Sequence, residues 1–459
     1  MDDHTEQQGT VTLRRRRRRR AGRRACETAG VLVVAVAASL VSVPGVLSSA
    51  VPAGAVRQLT SVRQLASVRQ LASVRQSSAA GSGSVPELAA AEQSFALALT
   101  RQVLSPAPEA DVLVSPASAD IDLSMLELGA GGRTEHELAT ALASTGLSAE
   151  ENARSWHALV SSEVAHETAG ELTLAESLWV RQGLQVEGQF LHAESAVFGN
   201  DTYHVDFASP SATKAINAWV ERATAGRISQ LFTPGELSRA TELVLANALH
   251  LHAAWANRHQ FTTSTGPFVT ASGRRRTVPT LFARDDRLDF AVTRSYEAVQ
   301  IPYTNGRFCA LVVEPTPGSM TSWLADLTPK GLAAIVRSLS AGMVDLSMPA
   351  LHLSSRPLLN AALSAMGMAG VFSTADLTPM LGAALGHQVF VAQVQQADTL
   401  QVDRWGTDAA AATGISVLPT SVAGHIVPVD IDHPYLFLVR DTKTGVILFS
   451  SVVNDPVSS

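Results

Sequence analysis

Read from its amino end, the chain changes character before its pattern becomes globular. Residues Val31 to Val43 are strongly apolar, and no charged side chain occurs from Thr28 to Val56. Residues 56 to 79 then repeat every six positions as VRQLTS, VRQLAS, VRQLAS and VRQSSA. Repeats this short and this few enclose no core, and GSGS at 81 to 84 extends the low complexity. A linker is the reading for 56 to 84; the alternative is a weakly amphipathic helix, since Val and Leu recur three apart. From about Val85 the signals are mixed. EQSFALALTRQVL (92 to 104) places apolar residues at helical spacing. Thr134-x-x-Glu137 and Ser148-x-x-Glu151 read as capping boxes opening two further helices. TKAINAWVERATAG (213 to 226) reads as an amphipathic helix stopped by Gly226. Alternation then dominates in TELVLANALHLHAAW (241 to 255), VDLSMPALHLSS (344 to 355) and VFVAQVQQADTLQVD (389 to 403). The chain closes in YLFLVRDTKTGVILFSSVV, two apolar strands joined by a tight turn at Asp441 to Gly445. Helices first and mostly antiparallel strands afterwards predict one α+β domain over residues 85 to 459.

Composition agrees with a globular chain: of 459 residues, 46% are hydrophobic and 17% charged. The arginine run Arg14 to Arg20, with Arg23 and Arg24, directly precedes the apolar stretch, and Ala53-Gly54-Ala55 follows it. That is the order of a secretory signal with an A-x-A cleavage site. Residues 1 to 55 therefore read as a signal peptide and the protein as secreted, with no membrane association once processed. An uncleaved membrane anchor is the alternative. An arginine run also suits nucleic acid, but cleavage after Ala55 removes nine of 35 basic and four of 41 acidic residues. A net charge of −11 remains, which opposes binding to phosphate backbones. The two cysteines, Cys26 and Cys309, make no disulfide framework and no zinc spacing. Cys309, within FCALVV, reads as a buried thiol.

Catalytic signatures are missing: there is no GxSxG, HExxH, P-loop or EF-hand motif. GAGGRT at Gly129 to Thr134 reads as a turn between helices, and His250 and His252 as structural histidines. No enzyme activity, metal or cofactor is expected. The informative segment is Gly406 to Ser421, GTDAAAATGISVLPTS. Made into a strand, it would turn Thr407, Ala409, Ala411, Thr413, Ile415 and Val417 to one face, all small or apolar. Its one charge, Asp408, falls on the other face. The segment can be a loop that later becomes a strand; an alanine-rich loop or a short helical turn are the plain alternatives.

GTDAAAAT resembles the hinge of an inhibitory serpin, and other stretches resemble that family in the same order. They are DVLVSPAS and MLELGAGGRTEHEL (within 111 to 138), ESLWV (176 to 180), INAWVERATAGRI (216 to 228) and LVLANALHLHAAW (243 to 255). VDLSMP, MGMAGVFSTADLTPM (366 to 380) and DHPYLFLVRDTKTGVILF (432 to 449) complete the series. The resemblance implies a serpin-like fold: a mostly antiparallel central sheet, a helical N-terminal part and an exposed reactive-centre loop. It implies a monomeric suicide inhibitor that forms a covalent complex with a serine endopeptidase; a non-inhibitory binding or chaperone protein is the alternative. Carried over by position, Gly406, Thr407, Asp408, Ala409, Ala410, Ala411, Ala412 and Thr413 form the hinge. Thr420-Ser421 is the reactive bond, with Leu418-Pro419 as alternative, and Thr420 suits elastase-like or subtilisin-like enzymes. Ser115, Ser118, Asn247 and Gln396 lie beneath the strands that open. The chain differs from the family pattern at Arg404 and Trp405, usually acidic, and at Gln396, usually histidine. It differs also at Asp120 and Asp122, on a helix usually apolar, and at Tyr435, usually phenylalanine.

Overall fold

The computed structural model describes residues 85 to 456 apart from 165–171, 199–201, 225, 257–260, 305, 317–319 and 408–424. The first half of the chain runs α1 (Val85–Leu104), β1 (Val112–Val114), α2 (Pro116–Leu128), α3 (Gly132–Ala141), α4 (Ala149–Val164), β2 (Leu172–Arg181), α5 (Gly188–Phe198), β3 (Thr202–Val205) and α6 (Pro210–Ala223). Strands follow: β4 (Leu243–Leu251), β5 (Ala253–Ala254), β6 (Thr262–Val269), β7 (Arg275–Val292), β8 (Tyr296–Pro302) and β9 (Phe308–Pro315). After α7 (Met320–Asp326) and α8 (Pro329–Ser338) come β10 (Ser340–Pro349), β11 (Leu351–Ser355), α9 (Asn360–Leu363) and α10 (Thr378–Leu381). The chain ends in β12 (Val391–Asp403), β13 (Gly406–Thr407), β14 (Ile426–Asp430), β15 (Tyr435–Asp441) and β16 (Ile447–Val453). The order of helices before strands is therefore only coarse, since β1 to β3 interleave with the early helices and α7 to α10 with the later strands.

Helix starts follow local chemistry. Ser115 caps α2 ahead of Pro116, and Ser209 caps α6 ahead of Pro210. At α4 the capping box is reciprocal: Glu151 N–H donates to Ser148 Oγ (3.2 Å) and Ser148 N–H to Glu151 Oε2 (2.9 Å). The box expected at Thr134 is not one. Helix α3 already starts at Gly132, with Gly131 as a cap that lacks a side chain. Thr134 lies buried inside it and accepts from Asp376 N–H (2.7 Å), while Glu137 accepts from Gly370 N–H (3.0 Å). The pattern serves tertiary contacts with the 370–376 segment instead.

Among the described residues the strands form two sheets. One is ordered β1-β16-β15-β9-β8-β7-β10-β14, with β6 beside β7. The other is ordered β3-β2-β4-β12-β13-β5, with β11 on the free edge of β12. Most pairs are antiparallel, but β4 and β12, at the centre of the second sheet, run parallel. Both faces of β4 are covered. Leu243 and Leu245 pack with Leu123 and Leu126 of α2, whereas Val244 and Ala246 pack with Ile216 and Trp219 of α6. Four consecutive apolar residues are what a strand buried on both faces requires.

Candidate functional site

The second sheet is shut along most of its centre and parted at one end. Strand β12 pairs with β4 from Val391↔Leu243 up to Asp398↔Leu249. Beyond that point β13 lies between them. Val402 and Asp403 of β12 pair with Thr407 and Gly406, which pair on their other side with Ala253 and Ala254 of β5. Residues Arg404 and Trp405 form the turn into β13, tied by the Trp405 N–H to Asp403 Oδ1 (2.7 Å). The Arg404 guanidinium sits 4.4 Å from the centre of the half-exposed Trp405 ring. Only glycine fits at 406, because a Cβ there would run into the Ala253 carbonyl.

Aromatic side chains wall this end. Trp255 and Tyr303 stack face to face at 4.8 Å and 8°. Trp255 donates its backbone N–H to Trp405 O and its indole N–H to Asp403 O, both at 2.9 Å. The Tyr303 hydroxyl bonds to Thr407 Oγ1, and burial raises the Tyr303 phenol, an effect its Thr407 bond opposes. Thr407 is 1% exposed. Gly406 and Thr407, the first two residues of the expected hinge, are thus strand and buried, because the parted sheet supplies both sets of backbone partners.

Below the parted end, helix α2 holds the two central strands separately. Gln396 of β12 donates to Ser115 O (2.7 Å) and accepts the Ser115 N–H (3.0 Å). Asn247 of β4, the register partner of Gln396, donates to Asp122 Oδ2 (2.8 Å). Ser115 Oγ donates to Leu448 O (2.8 Å), and Ser118 is buried with its hydroxyl making no hydrogen bond. All these side chains come from α2, its cap, or the two strands.

The neighbourhood is acidic. Burial pushes Asp120 up to about 7, against hydrogen bonds from Trp156 (2.9 Å) and Ser124 (3.1 Å). Burial likewise pushes Asp122 up to about 8, with Asn247 opposing, and Glu127 up to about 7, with Asn152 opposing. Glu92 of α1 is raised by burial and by Asp120, although Ile447 N–H donates to it. Asp398 of β12 is buried and its oxygens take no hydrogen bond; the Ser115 N–H, already given to Gln396, offsets its rise only in part.

Of the residues singled out in the sequence, Gly406 and Thr407 lie at the parted end, and Ser115, Ser118, Asn247 and Gln396 lie under the closed part. Asp408 to Thr413, Leu418, Pro419, Thr420 and Ser421 fall outside the described residues. Sequence reasoning passed over Trp255, Tyr303 and Asp398. Trp255 ends an alternating strand and carries a faint signal; Tyr303 and Asp398 carry none. Elsewhere, Glu314, Asp432 and His433 bring three ligand atoms within 4.8 Å, a grouping that a metal ion could use. Glu314 Oε2 already accepts the N–H groups of Asp432 (2.8 Å) and His433 (2.9 Å). Cys309 is a buried free thiol pushed up to about 12 by its burial.

Comparison with known proteins adds the family. A family model described as "Serpin (serine protease inhibitor)" matches residues 90–456. Serpin-ZXA of Oryza sativa subsp. japonica is 29% identical over 392 residues, covering 80% of this chain and 96% of its own. Serpin A3-6 of Bos taurus is 29% identical over 381 residues, covering 80% and 88%. The structure of human thyroxine-binding globulin with its ligand superposes with a TM-score of 0.73 at 25% identity, over 81% of this chain and 99% of that one.

Proposed function

The chain belongs to the serpin family, and from that premise we propose that it inhibits serine endopeptidases by sacrificing the loop that follows β13. The observation that carries this reading is β13 itself, a two-residue strand already seated between β12 and β5 and followed by small side chains. Such a strand has only to lengthen. In the same register, Ala409 would come opposite Leu400, Ala411 opposite Asp398, and Thr413 between Gln396 and Asn247. The small residues Thr407, Ala409, Ala411 and Thr413 would then share the buried face.

The chemistry belongs to the protease. Its serine Oγ attacks the Thr420 carbonyl carbon, the bond to Ser421 breaks, and the amine leaves as the new N-terminus of the released peptide. The acyl-enzyme that remains is trapped if the freed hinge inserts before water attacks, a step for which the serpin family is itself the type example. Thr420 is small and uncharged, which suits elastase-like or subtilisin-like enzymes. A cut at Leu418-Pro419 would instead select chymotrypsin-like ones. The inhibitor needs no cofactor and acts as a secreted monomer after loss of residues 1 to 55; anchoring through that segment is the alternative. Among the described residues no helix is long and apolar enough to cross a membrane.

A non-inhibitory binding role is the second reading, favoured by the likeness to thyroxine-binding globulin. One denaturing gel separates the two. The protein mixed with pancreatic elastase, subtilisin, chymotrypsin or trypsin should give a covalent band with one of the first two. Clean cleavage that leaves the protease active would support the binder. Mass spectrometry of the released peptide should show a start at Ser421; a start at Pro419 moves the bond, and fast trapping of trypsin contradicts both assignments.

A further inference from the structure

The parted end of the second sheet stops just above the place where helix α2 grips it. Leu249 with Asp398 is the last pair that still joins β4 to β12, and Asn247 with Gln396 lies two pairs below. A strand that lengthened past this point would have to separate Asn247 from Gln396. Neither amide side chain is bonded to the other. Gln396 is held by the Ser115 backbone, and Asn247 by the Asp122 carboxyl at 2.8 Å. Asp122, Asn247 and Gln396 are each 0% exposed, and the Oδ1 atoms of the Asp122 carboxyl and of the Asn247 amide make no hydrogen bond. An ionised carboxylate there would have one neutral donor and no water, a costly arrangement.

We propose that Asp122 is a positioning residue for strand insertion, whose buried carboxyl holds Asn247, and with it β4, against α2 and keeps the sheet shut below the hinge. The proposal rests on the inhibitory reading above. Its proton makes the clasp sensitive to pH. Burial holds Asp122 up at about 8, so the closed sheet keeps the acid neutral at ordinary pH. Parting the strands admits water, and the group returns toward the usual carboxylate range. Opening therefore releases a proton between about pH 4 and about pH 8, and rising pH favours it by up to about tenfold per unit in that window. Other titratable groups sit on the elements packed there. Asp120 and Glu127 share α2; Glu92 comes from α1, Glu176 from β2, Glu194 from α5 and Asp398 from β12. Helix α3 brings Glu135, and α4 brings Glu150 and His157. The coulombic influences on Asp120, Glu127 and Glu92 all come from other carboxylates. A test must therefore isolate residue 122.

The readout is uptake of a labelled synthetic peptide, residues 408–417 (DAAAATGISV), by the uncleaved full-length protein from pH 6 to pH 8.5. The wild type should take it up about tenfold faster, or more, at the upper end. In Asp122→Asn, which keeps an acceptor for Asn247 but carries no titrating proton, the rate should change by less than about twofold over the same range. A flat wild-type profile, or a wild-type slope retained in Asp122→Asn, would overturn the clasp. Should that variant not fold, Asn247→Ala releases the tie from the strand side and should take up peptide faster than wild type at pH 6; an unchanged rate there overturns the clasp equally. No uptake by any protein at any pH, with a melting temperature unmoved by loop cleavage, would remove the inhibitory reading and the clasp with it.

Discussion

Thr407 is the residue on which the proposed insertion turns, because it is already buried and bonded to Tyr303. Replacing it with arginine would place a charged head against Trp255 and Tyr303 without a partner, at a cost of several kcal/mol. The Thr407→Arg variant should be cut at the bait bond at a near-normal rate yet release active protease. Asp408→Arg, one step along and on the other face if the strand alternation continues, should inhibit almost as well as wild type; equal behaviour of the two would show the register is wrong. Tyr303→Phe keeps the stack on Trp255 but loses the hydroxyl bond, worth about 0.5–1.5 kcal/mol. The buried acids make a further expectation at this scale. Asp120, Asp122, Glu127 and Glu314 titrate near 7 to 8 in the folded chain because burial disfavours their charge. Unfolded, they titrate near 4, so between those values the folded state binds more protons. Their contribution is fully present below about pH 4 and is lost as pH rises through 7 to 8, by about 1.4 kcal/mol per unit for each acid. Calorimetric melts should fall steadily from pH 5.5 to pH 8.5, and Asp120→Asn should flatten the slope; a melting temperature that climbs over that range would contradict the assignment.

Among the elements, α4 and α3 show how one sequence pattern serves two ends. Ser148 closes a true capping box with Glu151, both ends on the surface. Ser148→Ala should cost about 1 kcal/mol in denaturant unfolding without touching inhibition. Thr134→Ala removes a bond to the Asp376 backbone at 2.7 Å, far along the chain. Its effect should appear as faster hydrogen exchange at Asp376, whereas Ser148→Ala should speed exchange at the first turn of α4. Strand β13 is the other instructive element. Two residues make no stable strand alone; it exists because β12 and β5 each offer a row of backbone partners.

For the whole molecule, the proposed insertion would make a cut favourable where most proteins lose stability when nicked. Lengthening β13 would add backbone hydrogen bonds at about 0.5–1.5 kcal/mol each. It would also bury Ile415 and Val417, at roughly 1.5–3 kcal/mol apiece. Limited proteolysis of the loop should therefore raise the melting temperature markedly. A value that stays put or drops would sink insertion as the mechanism.

What could be read from the sequence alone was whatever depends on neighbours in the chain. The final hairpin at Gly445, the capped start of α4 and the small-residue face of the hinge are all local, set by backbone conformation and alternation. The collinear family segments carried the α+β architecture for the same reason, as a series of local patterns. What needed the tertiary structure were contacts between residues far apart in the chain. Asp122 reads as a misplaced charge on an apolar helix until Asn247, 125 positions away, is seen to donate to it. Tyr303 has no signal until it meets Thr407, 104 positions on. Whether the hinge begins as loop or strand was likewise undecidable from composition, because alanine and glycine favour neither. The gap between β12 and β5 decided it, since an open pair of sheet edges is stabilised by whatever backbone lies within reach.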